Sequence, residues 1–255
     1  MRSCYLLFFA LIYDLHALYY GSPALPQATE KGVYLSDELL IGVKVGYLGD
    51  RVLHKSLETT HGYQAKGVES FESYTEQGVL TLNFASRFEV YGSLGGMRIN
   101  VQPKISSVVR EVLQTKEELT WGFGGRGVVY ELSKAVLGLD FKFQGYDPRF
   151  LWGSVNGFAA NVGSTSKMSY YEWQIGLGLA YDCDFMVPYI GALYNRVEGK
   201  CSNLFPIREH FTFKSQKKFG LACGVCLVSK SFFELDLEAR MVAETAFSIQ
   251  GNFRF

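Results

Sequence analysis

Apolar and polar residues alternate strictly near the end of the chain. The apolar set of the first stretch is Phe233, Leu235, Leu237, Ala239 and Met241. The residues between them are Glu234, Asp236, Glu238 and Arg240. Successive side chains of a β-strand point to opposite faces, so this pattern predicts a strand with one apolar and one charged face. A surface helix is the alternative, because Glu, Leu, Ala, Arg and Met favour helices, but a helix would scatter the charges.

The alternation resumes after a predicted turn near Glu244. Its apolar set is Phe247, Ile249, Gly251, Phe253 and Phe255, and its polar set is Ser248, Gln250, Asn252 and Arg254. A turn centred on Glu244 places Glu234 opposite Arg254 in an antiparallel pair. It also places Arg240 opposite Ser248. We therefore expect an ion pair between Glu234 and Arg254.

Eight earlier segments show the same alternation, which gives about ten strands. The earlier strands are predicted at about 39–54, 78–85, 88–97, 119–130, 135–144, 169–181, 185–196 and 217–227. Long polar connections are predicted at 56–77, 100–118, 145–167 and 198–216. The second of these could hold a short helix at 106–114, and the third a brief pairing at 158–162.

Long and short connections alternate along the chain. An up-and-down meander then places the short turns at one end and the long loops at the other, as in transmembrane β-barrels. The tight turn at Glu244 is the exception. No later stretch is long and apolar enough for a transmembrane helix, so a membrane-spanning chain would have to be a closed barrel.

The two faces of the predicted strands differ in charge. The outward rows are apolar and rich in rings, as in Phe88, Val90 and Leu94, and they hold almost no charge. The charged residues of the inward rows are Lys44, Glu89, Arg126, Asp140, Lys142, Glu172, Glu234, Asp236, Glu238, Arg240 and Arg254. An Arg or Lys facing lipid at the bilayer midplane costs about 2–4 kcal/mol, which explains this segregation.

The predicted fold class is therefore all-β, an antiparallel up-and-down transmembrane β-barrel of about ten strands, with twelve or more as the alternative. Glycine (27) and aromatic residues (15%) are plentiful and proline (6) is scarce, which suits such strands. A soluble antiparallel sheet with one buried face would also alternate.

The chain begins with features of an export signal. Arg2 precedes an apolar run at 4–13, and cleavage after Ala17 predicts a signal peptide at 1–17. A buried N-terminal segment is the alternative. Residues 18–38, with Gly21, Pro23 and Pro26, are predicted to be an irregular periplasmic lead-in to a barrel at 39–255.

Four cysteines follow the predicted signal. Cys183 and Cys201 fall in predicted connections and are candidates for disulfide cross-links, which an exported chain can keep. Cys223 and Cys226 are three residues apart in a predicted strand, so they point to opposite faces and are not expected to bind metal or form a redox pair.

No catalytic, metal or cofactor motif is recognisable in the sequence. The chain carries 25 basic and 25 acidic residues and no basic stripe, so nucleic acid is not an expected partner.

Several motifs resemble the chlamydial major outer membrane protein, a porin family. They are VGYLGDRVL (45–53), SRFEVYGSLG (86–95), YYEWQIGLGLAY with PYIG (170–191) and the closing GNFRF (251–255). The lead-in LYYGSPALP is similar to the family's mature N-terminus. This chain is shorter, with fewer cysteines and fewer predicted strands. The resemblance implies an outer-membrane location, a homo-oligomer such as a trimer, and disulfide cross-linking.

These features support two main functional hypotheses. The first is an outer-membrane porin, in which small polar solutes and ions diffuse through a charged lumen. The second is a non-conducting structural or adhesive surface protein, because ten strands make a bore that side chains can nearly fill. An outer-membrane hydrolase with its site among the long loops is a weaker third. Expected partners are outer-membrane lipid and the barrel-assembly machinery, which would read Phe253 and Phe255 in the last strand.

Overall fold

The computed structural model describes residues 18–28, 41–61, 67–104, 109–160, 162–163, 165–204, 210–229 and 232–255. The predicted signal peptide lies outside these residues. The described chain contains one short helix, α1 (Leu25–Ala28). None of its helices is long and apolar enough to cross a membrane. The strands are β1 (Ile41–Lys55), β2 (Leu57–His61), β3 (Gly67–Phe84), β4 (Phe88–Lys104), β5 (Glu111–Thr115), β6 (Glu118–Leu132), β7 (Ala135–Tyr146), β8 (Phe150–Val155), β9 (Phe158–Ala160), β10 (Lys167–Tyr181), β11 (Met186–Ser202), β12 (His210–Ser215), β13 (Phe219–Ser229), β14 (Phe233–Met241) and β15 (Glu244–Arg254).

Ten of these strands close into a barrel. In the order β1, β3, β4, β6, β7, β10, β11, β13, β14, β15, each pairs antiparallel with the next. The last strand pairs with the first, with Lys44 opposite Arg254 and Val45 opposite Phe253. The predicted ten-stranded antiparallel barrel is confirmed. Closure leaves none of these ten strands with an open edge.

The predicted asymmetry of the connections is also confirmed. The turns at 85–87, 133–134 and 182–185 lie at one end, which we call the short-turn end. The long connections lie at the opposite, long-loop end. The tight β14–β15 turn is also at the long-loop end, as predicted.

The long connections hold far more strand than predicted. The connections predicted at 56–77, 100–118 and 198–216 contain β2, β5 and β12 and the ends of β3, β4 and β11. The helix predicted at 106–114 is wrong from Glu111 onward, where the chain is β5, while 105–108 lie outside the described residues. The short pairing predicted in the third connection is present as β8 and β9.

The reason for these errors is that the strands continue beyond the apolar band. There the outward row faces water and becomes polar, as in Arg196, Glu198 and Lys200 of β11, while Val197 and Cys201 point inward and are buried. High polarity is normally a loop signal, so it hid the alternation.

The register of the last hairpin differs from the prediction. Glu234 lies opposite Asn252, and Arg240 lies opposite Ala246, which centres the turn on Ala243. The prediction was therefore wrong by two residues along β15. A shift of two keeps every side chain on its face. The acidic side chain of Glu234 forms an ion pair with Lys44, across the barrel seam.

The outer face is apolar. On β10 the outward row is Tyr171, Trp173, Ile175, Leu177, Leu179 and Tyr181. Rings on neighbouring strands contact one another, with ring centres 5.6 Å apart for Trp121 and Phe143 and 5.4 Å apart for Phe123 and Phe143. An exposed apolar surface of this extent, bounded by rings, is typical of a lipid-facing barrel wall.

The inside of the barrel is filled in three layers. Residues 18–26 lie buried within the short-turn half. A belt of charged side chains occupies the middle. At the long-loop end an apolar core includes Phe71, Ile99, Leu113, Tyr170 and Phe213. Residues 18–26 of the predicted periplasmic lead-in thus lie inside the lumen, which corrects their expected place outside the barrel.

Leu177 provides a test of the lipid-facing wall, because it is 47% exposed and lies on one row midway between Trp173 and Tyr181. We expect Leu177→Arg to destabilise the folded barrel in lipid vesicles, lowering its free energy of unfolding by about 2–4 kcal/mol. The measurement is equilibrium urea unfolding in phosphatidylcholine vesicles. The control is Phe158→Arg, at a 78% exposed site of the β8–β9 hairpin, which should change little. Equal effects at both sites would contradict a membrane-embedded wall.

Candidate functional site: the barrel lumen

The charged residues predicted on the inward rows all lie inside the barrel. None of the eleven is more than 9% exposed. The sequence reasoning missed four further buried charges, Asp50, Lys55, Glu111 and Glu244. Asp50 is six residues from Lys44 on β1, so the alternation places it on the same inward row, and it could have been found. A register shift between Val52 and His54 turns Lys55 inward, and Glu244 was assigned to the turn.

Lys44 joins three strands and residues 18–26, which we call the N-terminal segment. Its Nζ lies 2.8 Å from Oε1 of Glu89 and 3.0 Å from Oε2 of Glu234. It also donates a hydrogen bond to the backbone carbonyl of Leu25 at 2.9 Å. A buried ammonium group has three donors, and here each has an acceptor, which offsets the cost of burying the charge.

A second cluster centres on Arg126. Its Nε lies 3.4 Å from Oδ2 of Asp140, and its Nη1 lies 3.8 Å from Oε2 of Glu89. The hydroxyl of Tyr91 donates to the same Asp140 oxygen at 2.7 Å. Glu89 therefore connects this cluster with Lys44 in one network.

The third cluster extends toward the long-loop end. Nη2 of Arg240 lies 2.6 Å from Oδ1 of Asp50, and its Nε lies 3.2 Å from Oε1 of Glu244. Lys55 bridges Glu244 and Glu172, with its Nζ 2.6 Å from an oxygen of each. This chain of charges ends where the apolar core begins, because Tyr170 of that core donates to Glu172.

The acidic pair Asp236 and Glu238 binds backbone N–H groups of the N-terminal segment. Glu238 accepts from the N–H of Tyr20 at 2.8 Å and from that of Gly21 at 2.7 Å. Asp236 accepts from the N–H of Ser22 at 2.9 Å. These hydrogen bonds explain how two acidic side chains on one row are tolerated, since charge-assisted hydrogen bonds are about twice as strong as neutral ones.

Basic and amide side chains bind the carbonyls of the same segment. Arg126 donates to the Tyr20 carbonyl at 2.9 Å, and Lys142 donates to the Tyr19 carbonyl at 2.8 Å. Asn83 donates to the Pro26 carbonyl at 2.8 Å. The backbone of the segment thus provides hydrogen-bond partners for both the acidic and the basic side chains of the barrel wall.

Little space remains in the charged belt. A cavity of about 30 Å³ lies among Tyr19, Lys44, Asp50, Gln77 and Gln250. A cavity of this size has room for water molecules only. The lumen is therefore closed in this structure, by the N-terminal segment on one side of the belt and the apolar core on the other.

Acidic groups outnumber basic ones in the described interior. The buried carboxylates are Asp50, Glu89, Glu111, Asp140, Glu172, Glu234, Asp236, Glu238 and Glu244, nine in all. The buried bases are Lys44, Lys55, Arg126, Lys142, Arg240 and Arg254, six in all. With every group ionised, the excess is three negative charges, which favours cations in the lumen.

One of the four cysteines is placed differently from the prediction. Cys201 is in β11, not in a connection, and it is fully buried, so it is not positioned to reach a neighbouring chain. Cys183 lies half-buried in the turn at the opposite end of β11 and stays a predicted cross-link. Cys226 points inward and is buried while Cys223 is only half-buried, in agreement with opposite faces.

No protein-family model matches the chain. The chain is similar to the major outer membrane porin of Chlamydia pneumoniae, with 24% identity over 74% of this chain and 72% of the relative. The porin of Chlamydia psittaci is 23% identical over the same shares. The serovar F porin of Chlamydia trachomatis is 21% identical over 80% of this chain and 75% of its own. The resemblance inferred from the motifs is confirmed by these relatives.

Among solved structures, the outer membrane protease OmpT from Escherichia coli has a TM-score of 0.43 at 11% identity, covering 84% of this chain and 96% of its own. The outer membrane protein OprG from Pseudomonas aeruginosa has a TM-score of 0.40 at 11% identity, covering 89% and 98%. Likenesses at these scores support no conclusion about function.

Lys44 offers a test of the buried network. Lys44→Met leaves Glu89 and Glu234 as carboxylates without this cation, so we expect a loss of about 3–5 kcal/mol in the free energy of unfolding. In a double-mutant cycle, Glu234→Gln should lower the free energy of unfolding less in the Lys44→Met chain than in the parent chain, because the two residues interact. Lys200→Met, at an exposed lysine of β11, is the matched control. Strict additivity of Lys44→Met and Glu234→Gln would contradict the ion pair.

Proposed function

We propose that the protein is an outer-membrane porin that allows small polar solutes and ions to diffuse passively through its charged lumen. The observation that carries this proposal is the closed ten-stranded barrel, apolar outside and charged within. The Chlamydia relatives that cover most of the chain carry the name porin, which supports the same function.

The surface chemistry supports an outer-membrane location. Side chains at the middle of the outer wall, such as Leu139, Leu177 and Ile190, are exposed and apolar, so lipid is their natural solvent. Phe253 of β15 and Phe255, the residue that follows this strand, are also exposed at the closing seam. We propose that the barrel-assembly machinery reads this strand. A trimer and cross-linking through Cys183 are proposed from the family resemblance.

Diffusion through this barrel needs two rearrangements. The N-terminal segment has to leave the short-turn half, and the apolar core around Phe71 and Phe213 has to part at the long-loop end. The charged belt would then be hydrated, and the eleven predicted lining residues would face water. The acid excess predicts a preference for cations.

The filled lumen favours a second candidate function. A barrel closed on both sides of the belt is also what a non-conducting structural or adhesive surface protein needs. We propose no enzymatic role; carboxylates of the charged belt such as Glu89, Glu238 and Glu244 are engaged with cations or with backbone N–H groups.

Gln250 provides a test of conduction and of its route. Its side chain lines the central cavity and is buried. In planar bilayers with a salt gradient, we expect the refolded chain to form cation-preferring channels. Gln250→Glu should strengthen this preference and Gln250→Lys should weaken it, because matched substitutions add opposite charges to one place.

Two outcomes would contradict the proposal. Absence of conductance, with folding verified by protease resistance, would favour the structural role. Conductance whose reversal potential is the same in both Gln250 variants would show that ions do not pass through this lumen.

A further inference from the structure

Glycines on the inner wall surround the ring of Tyr20. Gly176 and Gly178 of β10 and Gly191 of β11 all belong to inward rows, and Gly178 lies directly opposite Gly191. A Cβ on Gly176 would lie 2.4 Å from Cε2 of Tyr20, and a Cβ on Gly178 would lie 2.5 Å from its hydroxyl. A Cβ on Gly191 would lie 2.9 Å from Cε1. Any larger residue at these positions would occupy the space of the ring.

Gly176, Gly178 and Gly191 form a socket in which the Tyr20 ring is enclosed. Tyr20 is fully buried, and its hydroxyl donates to the carbonyl of Gly138 at 3.3 Å. Burial raises the pKa of the hydroxyl, so it remains a neutral donor. The ring of Tyr189 lies 6.4 Å away, centre to centre. Glycine within a strand weakens it and often marks a close approach by another group, which here is the Tyr20 ring.

The rest of the segment is recognised through its backbone. Asp236 and Glu238 bind three consecutive N–H groups, and Lys142 and Arg126 bind two consecutive carbonyls. Such contacts accept many sequences. Specificity therefore resides in Tyr20 and in the close packing of Pro23 against Gly138, where a Cβ would lie 2.9 Å from Cβ of the proline.

We propose that the short-turn half of the lumen is a binding site for a short peptide anchored by a tyrosine, and that residues 19–26 of the chain occupy it as a removable stopper. Every contact to the segment is non-covalent. The groups that it would release are mostly charged side chains, which water can solvate in an emptied lumen. The barrel thus has a dry, stoppered state and a wet state. The glycines of the YYEWQIGLGLAY and PYIG motifs are the socket.

The test follows accessibility of the segment in the full chain. Ser22, which is fully buried, is replaced by cysteine in a background with Cys4, Cys183, Cys201, Cys223 and Cys226 replaced by alanine. The rate of maleimide labelling of the folded barrel in detergent then reports release. Tyr20→Ala should raise this rate about tenfold or more, since a buried aromatic anchor is lost. Tyr20→Phe, which keeps the ring, should change it much less.

A double-mutant cycle tests the socket itself. Gly191→Ala should raise the labelling rate in the Tyr20 chain, because the three nearest contacts of its Cβ are all atoms of Tyr20. In the Tyr20→Ala chain the same change should have no further effect. Gly92→Ala is the matched control, since its Cβ would come no closer than 4.0 Å to its nearest neighbour.

A fluorescent peptide with the sequence LYYGSPALPQ provides a second measurement. It should bind the Tyr20→Ala chain, whose own stopper is weakened, and bind the parent chain less. Unchanged labelling in Tyr20→Ala and Gly191→Ala barrels that are folded would overturn the proposal.

If Gly191→Ala alone prevents folding, recovery of folding in the Tyr20→Ala background supports the socket, and failure in both backgrounds overturns it. None of these measurements requires conduction, so the stopper can fail while the porin function holds, and the reverse.

Discussion

Every charge inside this barrel has to find an opposite charge or a hydrogen-bond partner within the same narrow space. A buried charged group without a partner is costly. The described part of the lumen contains fifteen buried acidic and basic side chains, nine carboxylates and six bases. Lys55 satisfies this requirement through side chains, between Glu172 and Glu244. Lys44 does so between Glu89 and Glu234 together with the backbone carbonyl of Leu25. Elsewhere the wall depends on a peptide backbone that carries donors and acceptors but no net charge.

The sequence alone showed which residues of each strand face inward and which face outward. A period of two separates the faces reliably where one face contacts lipid, so the inward charges and the outward rings were assigned correctly. The strand ends were not predictable in the same way. Outside the apolar band the outward rows of β3 and β11 carry polar residues, so the sequence pattern there is that of a loop.

The position of the N-terminal segment could not be predicted from local pattern. Gly21, Pro23 and Pro26 indicate irregular backbone, which is what the structure has, but they say nothing about its surroundings. Its partners are distant in sequence: Tyr20 and Glu238 are 218 residues apart. The glycines of β10 and β11 were a usable signal, because three small residues on inward rows indicate that another group fills the space.

The porin relatives and the closed lumen are consistent if the structure represents one of two states. The same charged side chains serve in both, paired with the segment when it is present and hydrated when it is absent. Their role changes with the occupant, and their positions on the wall need not change.

The distribution of the segment's partners has a consequence for the order of events during folding. Residues 19–26 touch Lys44 near the start of the barrel and Asp236 and Glu238 near its end, so the site does not exist until the first and last strands have met. Docking of residues 19–26 is therefore expected to follow closure of the seam, and to be slow because its contacts are non-local. A nascent barrel would remain hollow until its seam had sealed.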